Sequence, residues 1–269
     1  MVGHWPFMAQ YWAQIGTPLR PSQEDLAGYL RFVREWVCRH GAPRVLLLGV
    51  TPEIYGLPWP EGHDFVAVDR TRAMIDHVWP GREDQLVECG WLDLTLPSGS
   101  RDLVLCDGGL QLLDYPFQQR RLVERLHDVL APGGLCVIRL FTPPATDESP
   151  AAVLGDLFAG GIENLNLLKL RLGMALQESA GTGVELRTVW RTLRDVAADW
   201  ERLAVRLGWP LEHLRAIDAY RDSEARYHFV STDQAVELFC GGGRFICRGQ
   251  RAPRYALGER CPIVAFERG

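Results

Sequence analysis

Two short apolar runs in the sequence end at residues that could bind a nucleoside. Residues 45–48 and 65–68 carry no polar side chain, which is typical of strands buried on both faces of a parallel sheet. The first run ends at Gly49, where backbone can approach a ligand because no Cβ intervenes. The second ends at Asp69, and a carboxylate at this end of the second strand is placed to accept hydrogen bonds from ribose hydroxyls. The spacing therefore predicts a nucleoside-binding crevice.

The elements that must position these residues alternate along the chain. Thr51 and Pro52 favour a helix start immediately after Gly49. Thr71 is expected to cap another helix, and Ser22 with Asp25 forms a capping-box pattern for a helix running to about residue 38. Further strands are predicted at residues 85–89, 102–107, 135–140, 241–247 and 262–266, and helices at residues 116–130 and from Ser231. This alternation predicts an α/β fold with a doubly wound parallel sheet.

The alternation stops between residues 147 and 230, where the apolar spacing is helical. Ten apolar residues recur from Leu186 to Leu207, which predicts one helix ended by the Gly-Trp-Pro run at 208–210. We therefore predict three parts: an amino-terminal helical lid at 1–39, a sheet domain at 40–146 and 231–269, and an inserted helical cap at 147–230. The aromatic residues near the amino terminus taken alone favour a helix docked on the core, and a lid over a ligand is the alternative.

Composition limits the classes of partner. Of the 269 residues, 47% are apolar and 23% charged, and the formal net charge is −5, so we expect no nucleic-acid partner. No apolar run is long enough to span a bilayer, and the first 21 residues lack a secretory pattern, so we expect no membrane association. The seven cysteines are scattered and form no Cys-x-x-Cys pair. They are typical of reduced thiols in a cytoplasmic protein and indicate no metal site.

Five sequence segments resemble those of class I S-adenosylmethionine-dependent methyltransferases. They are residues 45–49, 66–69, 89–91, 94–107 and 129–135. The acid-Leu-Val-Leu run at 102–105, followed by Leu-Ala-Pro-Gly-Gly at 130–134, is the most specific part. The resemblance covers about residues 40–140 and resumes at 231–269. It implies a Rossmann-like, seven-stranded, mostly parallel sheet whose last strand is antiparallel to the fifth, and it implies S-adenosyl-L-methionine as the cofactor.

The first motif departs from the family pattern. The family usually has acid-x-Gly-x-Gly-x-Gly, whereas here Leu47 occupies the acid position and Gly49 is the only glycine. Gly90 stands where the family has the acid that holds the adenine amino group. Trp91 remains to pack on the adenine ring. The part of the site that holds the methionine moiety is therefore altered, while the ribose acid is retained.

The resemblance implies a role for each residue along the crevice. Gly49 and Val50 would pass the methionine moiety, and the backbone near Thr51 would bind its carboxylate. Glu53 and Asp107 would pair with its ammonium group. Alternatively, Glu53 stabilises a helix dipole and Asp107 caps a strand end. The full predicted cofactor set is Gly49, Val50, Thr51, Glu53, Asp69, Arg70, Gly90, Trp91, Asp107 and Gly108.

Four polar residues are candidates for substrate contact or proton transfer. Arg139 lies near the end of the fifth strand, and Asn164 begins a predicted cap helix. Tyr227 and His228 end the cap, and His228 could accept a proton near neutral pH or simply be packed there. We expect them to supply the few polar groups of a small, largely apolar substrate chamber.

These features favour a methyltransferase that acts on a small molecule, of the kind used in small-molecule or secondary metabolism. One alternative is an enzyme of the same fold that transfers or cyclises the aminocarboxypropyl arm of the cofactor, because the altered first motif contacts that arm. Another is a non-catalytic cofactor-binding protein. A nicotinamide enzyme is disfavoured because Gly-x-Gly-x-x-Gly is absent after Leu48. The acceptor atom and the oligomeric state do not follow from the sequence.

Overall fold

The computed structural model describes residues 4–269, and its centre is a seven-stranded sheet. The strands are β1 (Arg44–Leu48), β2 (Asp64–Asp69), β3 (Leu86–Glu88), β4 (Arg101–Asp107), β5 (Leu130–Arg139), β8 (Phe245–Arg251) and β9 (Ile263–Arg268), and β6 (Val184–Glu185) pairs with β7 (Arg226–Tyr227) in a separate hairpin. The sheet order is β3-β2-β1-β4-β5-β9-β8. β1 to β5 are parallel, and β9 runs antiparallel to both β5 and β8. The predicted doubly wound, mostly parallel fold is confirmed.

The helices occupy both faces of the sheet and a separate group after β5. They are α1 (Trp5–Gln10), α2 (Gln23–His40), α3 (Pro52–Tyr55), α4 (Arg72–Val78), α5 (Phe117–Val129), α6 (Pro150–Ala159), α7 (Leu165–Leu176), α8 (Leu186–Val196), α9 (Trp200–Leu207), α10 (Leu211–Arg215) and α11 (Thr232–Cys240). Helices α6 to α10 share their own apolar cluster, which includes Leu168, Leu172 and Val189. Residues 1–3 of the predicted lid lie outside the described residues.

The uninterrupted apolar sequence of β1 follows from burial on both sides of the sheet. Val45 and Leu47 pack in the cluster beneath α2, whereas Leu46 and Leu48 pack in the cluster beneath α5. Neighbouring residues of a strand point to opposite faces, so a strand covered on both faces has no polar position. Because β2 and β4 both pair with β1 in parallel, the carboxyl ends of the three strands lie at one edge of the sheet.

The predicted cap of α2 is confirmed. Asp25 N–H donates to Ser22 Oγ at 3.2 Å, and Ser22 N–H donates to Asp25 Oδ2 at 2.7 Å, which closes a capping box. A second box joins Ser231 and Gln234 at the start of α11. The box on α2 also fixes the buried carboxylate of Asp25, which matters for the site.

Two predicted elements differ from the structure, and one element of the structure was not predicted. The single helix expected between Leu186 and Leu207 is two helices, α8 and α9. The break occurs because Asp199 Oδ1 accepts the N–H groups of Glu201 at 2.9 Å and Arg202 at 3.1 Å, which starts a new helix. The β6–β7 hairpin was not predicted. The strand expected from residue 241 begins at Phe245, after a turn in which Gly243 has φ +70°.

Candidate functional site

Three predicted residues meet at the carboxyl ends of β1 and β2. Gly49 has φ +90°, a conformation that strains residues with a side chain, and its N–H donates to Val68 O at 2.8 Å. A Cβ added to Gly49 would lie 3.8 Å from Trp91 Cζ2 and 4.0 Å from Asp69 Oδ2. The glycine turn, the acid and the indole therefore border one crevice.

Asp69 presents one carboxylate oxygen to this crevice. Its Oδ1 accepts the N–H of Thr71 at 2.7 Å, which orders the start of α4, while Oδ2 lies on the Gly49 side. Burial raises the pKa of Asp69, and hydrogen bonds from Thr71 oppose that shift. The Trp91 indole N–H donates to Val68 O at 3.0 Å and holds the ring beside the acid. The pair is suited to binding a ribose and an adjacent planar base.

Glu53 is paired with a residue from outside the sheet domain. Arg20 Nε donates to Glu53 Oε1 at 2.7 Å, and the Arg20 guanidinium lies over the Trp12 ring at 4.8 Å. Glu53 Oε2 is buried and has no hydrogen-bond partner among the described residues. A buried carboxylate oxygen without a donor is energetically costly, so it is suited to accept a ligand cation.

Asp107 and Arg139 form one buried ion cluster. Arg139 Nε donates to Asp107 Oδ1 at 2.6 Å and Nη2 donates to Oδ2 at 3.0 Å, while Nη1 donates to Asp25 Oδ2 at 3.2 Å. Tyr255 Oη lies 3.1 Å from Arg139 Nη1 and donates to Asp25. Tyr29 Oη donates to Cys106 O at 2.7 Å and lies 3.1 Å from Arg139 N.

This geometry changes the roles expected from the sequence. Arg139 has no exposed surface, so it is not placed to contact a substrate, and the Asp107 carboxylate is already bound to it. Burial disfavours the Arg139 charge, but Asp107 and Asp25 outweigh burial and raise the Arg139 pKa. Burial raises the pKa of Asp107 against the opposing effect of Arg139, and the nearby charges of Asp25 and Glu53 raise it further. We therefore interpret both residues as positioning groups beneath the crevice.

The other predicted cofactor positions lie around the crevice in different environments. Val50 is buried against Ala9 of α1 and Met74 of α4, and Thr51 is buried at the start of α3. Arg70 is exposed. The remaining two are glycines with close neighbours: a Cβ on Gly90 would lie 2.9 Å from Asp93 Oδ2, and one on Gly108 would lie 2.6 Å from the Phe141 ring.

A cavity of about 250 Å³ adjoins α1. Met8 of α1 lines it, whereas the adjacent Ala9 packs against Val50 at the crevice. Helix α1 therefore contacts both the crevice and the cavity. The polar residues that line the cavity include Gln14, Asn164, Asn166 and Lys169. A more open depression of about 420 Å³ between α2 and residues 53–58 is lined mainly by apolar side chains.

The predicted catalytic residues of the cap are not brought together. Asn164 lines the cavity, but its Oδ1 accepts Leu167 N–H at 3.0 Å as the cap of α7. The Tyr227 hydroxyl lies 2.9 Å from His4 Nε2. His228 points to the other side, with Nδ1 2.8 Å from Ala180 O and Nε2 3.3 Å from Asp114 Oδ1. Only Asn164 of the four predicted residues lines the cavity.

Sequence reasoning missed Lys169, which lines the cavity from within an apolar helix. Its side chain is buried, and Nζ lies 4.6 Å from the centre of the Tyr220 ring. Burial lowers the pKa of Lys169 to about 8. Burial, together with the Lys169 charge, also lowers the pKa of the neighbouring His4 to about 3. The available signal was compositional, because Lys169 is the only lysine in the chain.

The chain is similar to known methyltransferases in both sequence and fold. A family model described as "Methyltransferase domain" matches residues 49–138, the segment that contains the glycine turn, Asp69 and Asp107. The matched segment is similar to a methyltransferase domain, and the sheet around it has the Rossmann-like fold of class I methyltransferases. A comparison with curated protein sequences finds no match.

Solved structures support the fold of the methyltransferase domain and its flanking elements. The N-methyltransferase NodS from Bradyrhizobium japonicum, solved with S-adenosyl-L-homocysteine, is 11% identical, with 98% of each chain covered and a TM-score of 0.50. A putative zinc-dependent alcohol dehydrogenase from Rhodobacter sphaeroides is 13% identical, with 99% of this chain and 98% of that chain covered and a TM-score of 0.61. A complex between the Haloferax volcanii Trm112 activator and a putative methyltransferase is 10% identical, with coverage of 100% and 98% and a TM-score of 0.51. At these identities the likeness concerns the fold alone.

The methyltransferase domain indicates S-adenosylmethionine as the cofactor, and the crevice residues fit it. Asp69 Oδ2 faces the glycine turn, where ribose hydroxyls would donate, and the unpartnered Glu53 Oε2 suits the ammonium group. Asp107 is less available for an ammonium contact, because Arg139 donates a hydrogen bond to each of its oxygens. Within residues 4–269, no cluster of His, Cys, Asp or Glu could hold a metal ion, and no helix could cross a membrane.

Proposed function

We propose that this chain is an S-adenosylmethionine-dependent methyltransferase that acts on a small molecule. The observation that carries the proposal is that a nucleoside crevice and a cavity adjoin the same helix, α1. Gly49 and Asp69 border the crevice, Ala9 of α1 packs in the cluster with Val50, and Met8 of α1 lines the cavity of about 250 Å³. A cavity of this volume is of a size to enclose a small molecule.

Different residues of the chain bind and orient different parts of the cofactor. S-adenosylmethionine supplies an activated methyl group, so the protein has to align a nucleophile and exclude water. Asp69 binds the ribose, Trp91 packs on the adenine, and Glu53 binds the ammonium group. The Asp25–Arg139–Asp107 cluster holds the carboxyl end of β4 in place beneath them. We assign residues 147–230 as the substrate cap and residues 1–39 as the lid.

A second candidate is chemistry on the aminocarboxypropyl arm of the cofactor. One specific observation favours this second candidate. Asp107, the acid at the end of β4, is neutralised by Arg139, so the aminocarboxypropyl arm would be held differently from the family pattern. In that case Glu53 and Thr51 would orient the arm for attack or cyclisation.

The products of the cofactor distinguish the two candidates. We expect the purified protein, incubated with S-adenosylmethionine and fractions of small-molecule extract, to release S-adenosylhomocysteine. Mass spectrometry would also detect transfer of an isotope-labelled methyl group to a small molecule. Methylthioadenosine as the product would favour the arm chemistry. If neither product rises above the level given by an Asp69→Ala control, the result would favour a non-catalytic protein.

Removing the lid should impair turnover more than cofactor binding. We expect deletion of residues 1–14 to open the cavity and the crevice to water, since Met8 lines one space and Ala9 covers Val50 in the other. Calorimetry should then give a nearly normal affinity for S-adenosylmethionine while the turnover number falls strongly. Unchanged turnover would show that the segment only packs, and a parallel loss of affinity would place it in the cofactor site.

We place the protein in the cytoplasm as a small-molecule enzyme. All seven cysteines are free thiols, which is compatible with a reducing compartment. The net charge of −5 gives no electrostatic attraction for nucleic acid.

A further inference from the structure

The cavity beside α1 contains a cation without a counter-ion. The Lys169 side chain is only 5% exposed, and no carboxylate among residues 4–269 forms an ion pair with it. The ammonium group lies over the face of Tyr220, with Nζ 4.6 Å from the ring centre. An aromatic face stabilises a buried cation only partly, because it replaces neither the hydration shell nor a full negative charge.

The residues around Lys169 do not supply the missing charge. His4, beside it on the amino-terminal segment, has its pKa lowered to about 3 and is neutral. Tyr220 and Tyr227 have pKa values raised by burial and are neutral as well. Glu163 and His213 line the cavity but are exposed to solvent. The buried end of the cavity is therefore electropositive whenever Lys169 carries its proton.

The choice of lysine at this position is unusual for this chain. There are 29 lysine and arginine residues, and Lys169 is the only lysine. A lysine ammonium is compact and can lose its proton when buried, whereas arginine is larger and stays charged. A lysine at this position can therefore give up its proton more readily than an arginine, and when protonated it offers a full charge to an anion. Burial lowers the Lys169 pKa to about 8, which agrees with this role.

We propose that Lys169 binds the anionic group, such as a carboxylate, of a small and otherwise largely apolar substrate held in the cavity beside α1. The inference rests on the proposed function, and it names the substrate class for that site. Met8, Ile15 and Leu165 would contact the apolar part of the molecule, and Asn166 could donate a further hydrogen bond. With Lys169 at the buried end, the anion would orient the rest of the molecule relative to α1.

A set of matched probes tests the assignment without turnover. The three probes have similar shapes but differ in charge: benzoate is an anion, benzamide is neutral and benzylamine is a cation. We expect calorimetry on the full chain to show benzoate binding about tenfold or more tightly than benzamide, as a hydrogen-bonded charge requires. Isotope-labelled lysine gives a single side-chain signal, which benzoate should shift and benzylamine should not.

Substitution then assigns the preference to one side chain. Lys169→Met keeps the length and removes the charge, so it should abolish the preference for benzoate without lowering the melting temperature. Lys169→Gln serves if the methionine variant does not fold. Equal binding of benzoate and benzamide to the wild type, failure of benzoate to bind, or an unchanged preference in a folded Lys169 variant would each overturn the proposal. Because the assay needs no S-adenosylmethionine, such a result would leave the methyl-transfer proposal standing.

Discussion

Replacing Arg139 by methionine should destabilise the protein by about 3–5 kcal/mol, because it leaves two buried carboxylates without their cation. Arg139 and Asp25 have no exposed side-chain surface, and Asp107 is only 4% exposed. In a domain of this size the loss corresponds to a fall in melting temperature of roughly 6–20 °C. Calorimetric or circular-dichroism melting of the purified variant would measure it.

A surface pair on the same helix as Asp25 provides the control. Arg31 and Glu35 of α2 form an exposed i,i+4 pair, so Arg31→Met should change the stability by about 0.5 kcal/mol or less. Combining Arg139→Met with Asp107→Asn should recover part of the loss, because one unpaired charge is removed. A loss in Arg139→Met as small as that in Arg31→Met would mean that water reaches the cluster and that it does not hold β4.

Local sequence patterns predicted most of the sheet because burial on both faces makes the sequence of a strand continuously apolar. β1 and β4 are covered on both faces, so their apolar runs indicate strands without knowledge of the partners. The capping boxes at Ser22 and Ser231 are equally local. The break between α8 and α9 also had a local signal in Asp199. The continuous apolar spacing across it suggested one helix, although the carboxylate begins a second.

The site was less predictable because its decisive contacts join distant segments. Asp69 and Gly49 could be placed from the strand ends alone, since parallel strands share one carboxyl edge. The pairing of Arg139 with Asp25 spans 114 residues, and Glu53 meets Arg20 across 33 residues. No periodicity in the sequence encodes such pairs. Lys169 lies among leucines of α7, and only the packing of the amino-terminal segment shows that it lines a cavity.

These contacts imply that the cofactor site depends on one acid more than on any other. Asp107 is neutralised within the protein, and Glu53 shares its charge with Arg20. Asp69 forms no ion pair among residues 4–269, and its Oδ2 faces the glycine turn. A carboxylate that is free of cationic partners keeps its full capacity to accept hydrogen bonds from ribose hydroxyls.

Asp69→Ala should therefore weaken S-adenosylmethionine binding by roughly tenfold to a hundredfold, which equals about 1.5–3 kcal/mol for hydrogen bonds to a charged group. Asp69→Asn should have a smaller effect, because its Oδ1 can still accept the Thr71 N–H that orders α4. Calorimetry with S-adenosylmethionine and S-adenosylhomocysteine would measure both variants. Since burial raises the Asp69 pKa, affinity of the wild type should also fall as acid protonates this carboxylate.

Asp64 provides the matched control because it lies at the other end of the same strand. It is exposed and pairs with Arg101 at 2.6 Å, far along β2 from the crevice. Asp64→Ala removes the same charge from the same strand, so a general electrostatic effect on binding would appear in both variants. We expect only Asp69→Ala to lose affinity. An unchanged affinity in folded Asp69→Ala would remove the ribose contact from the crevice, and with it the argument that Gly49, Asp69 and Trp91 form one nucleoside site.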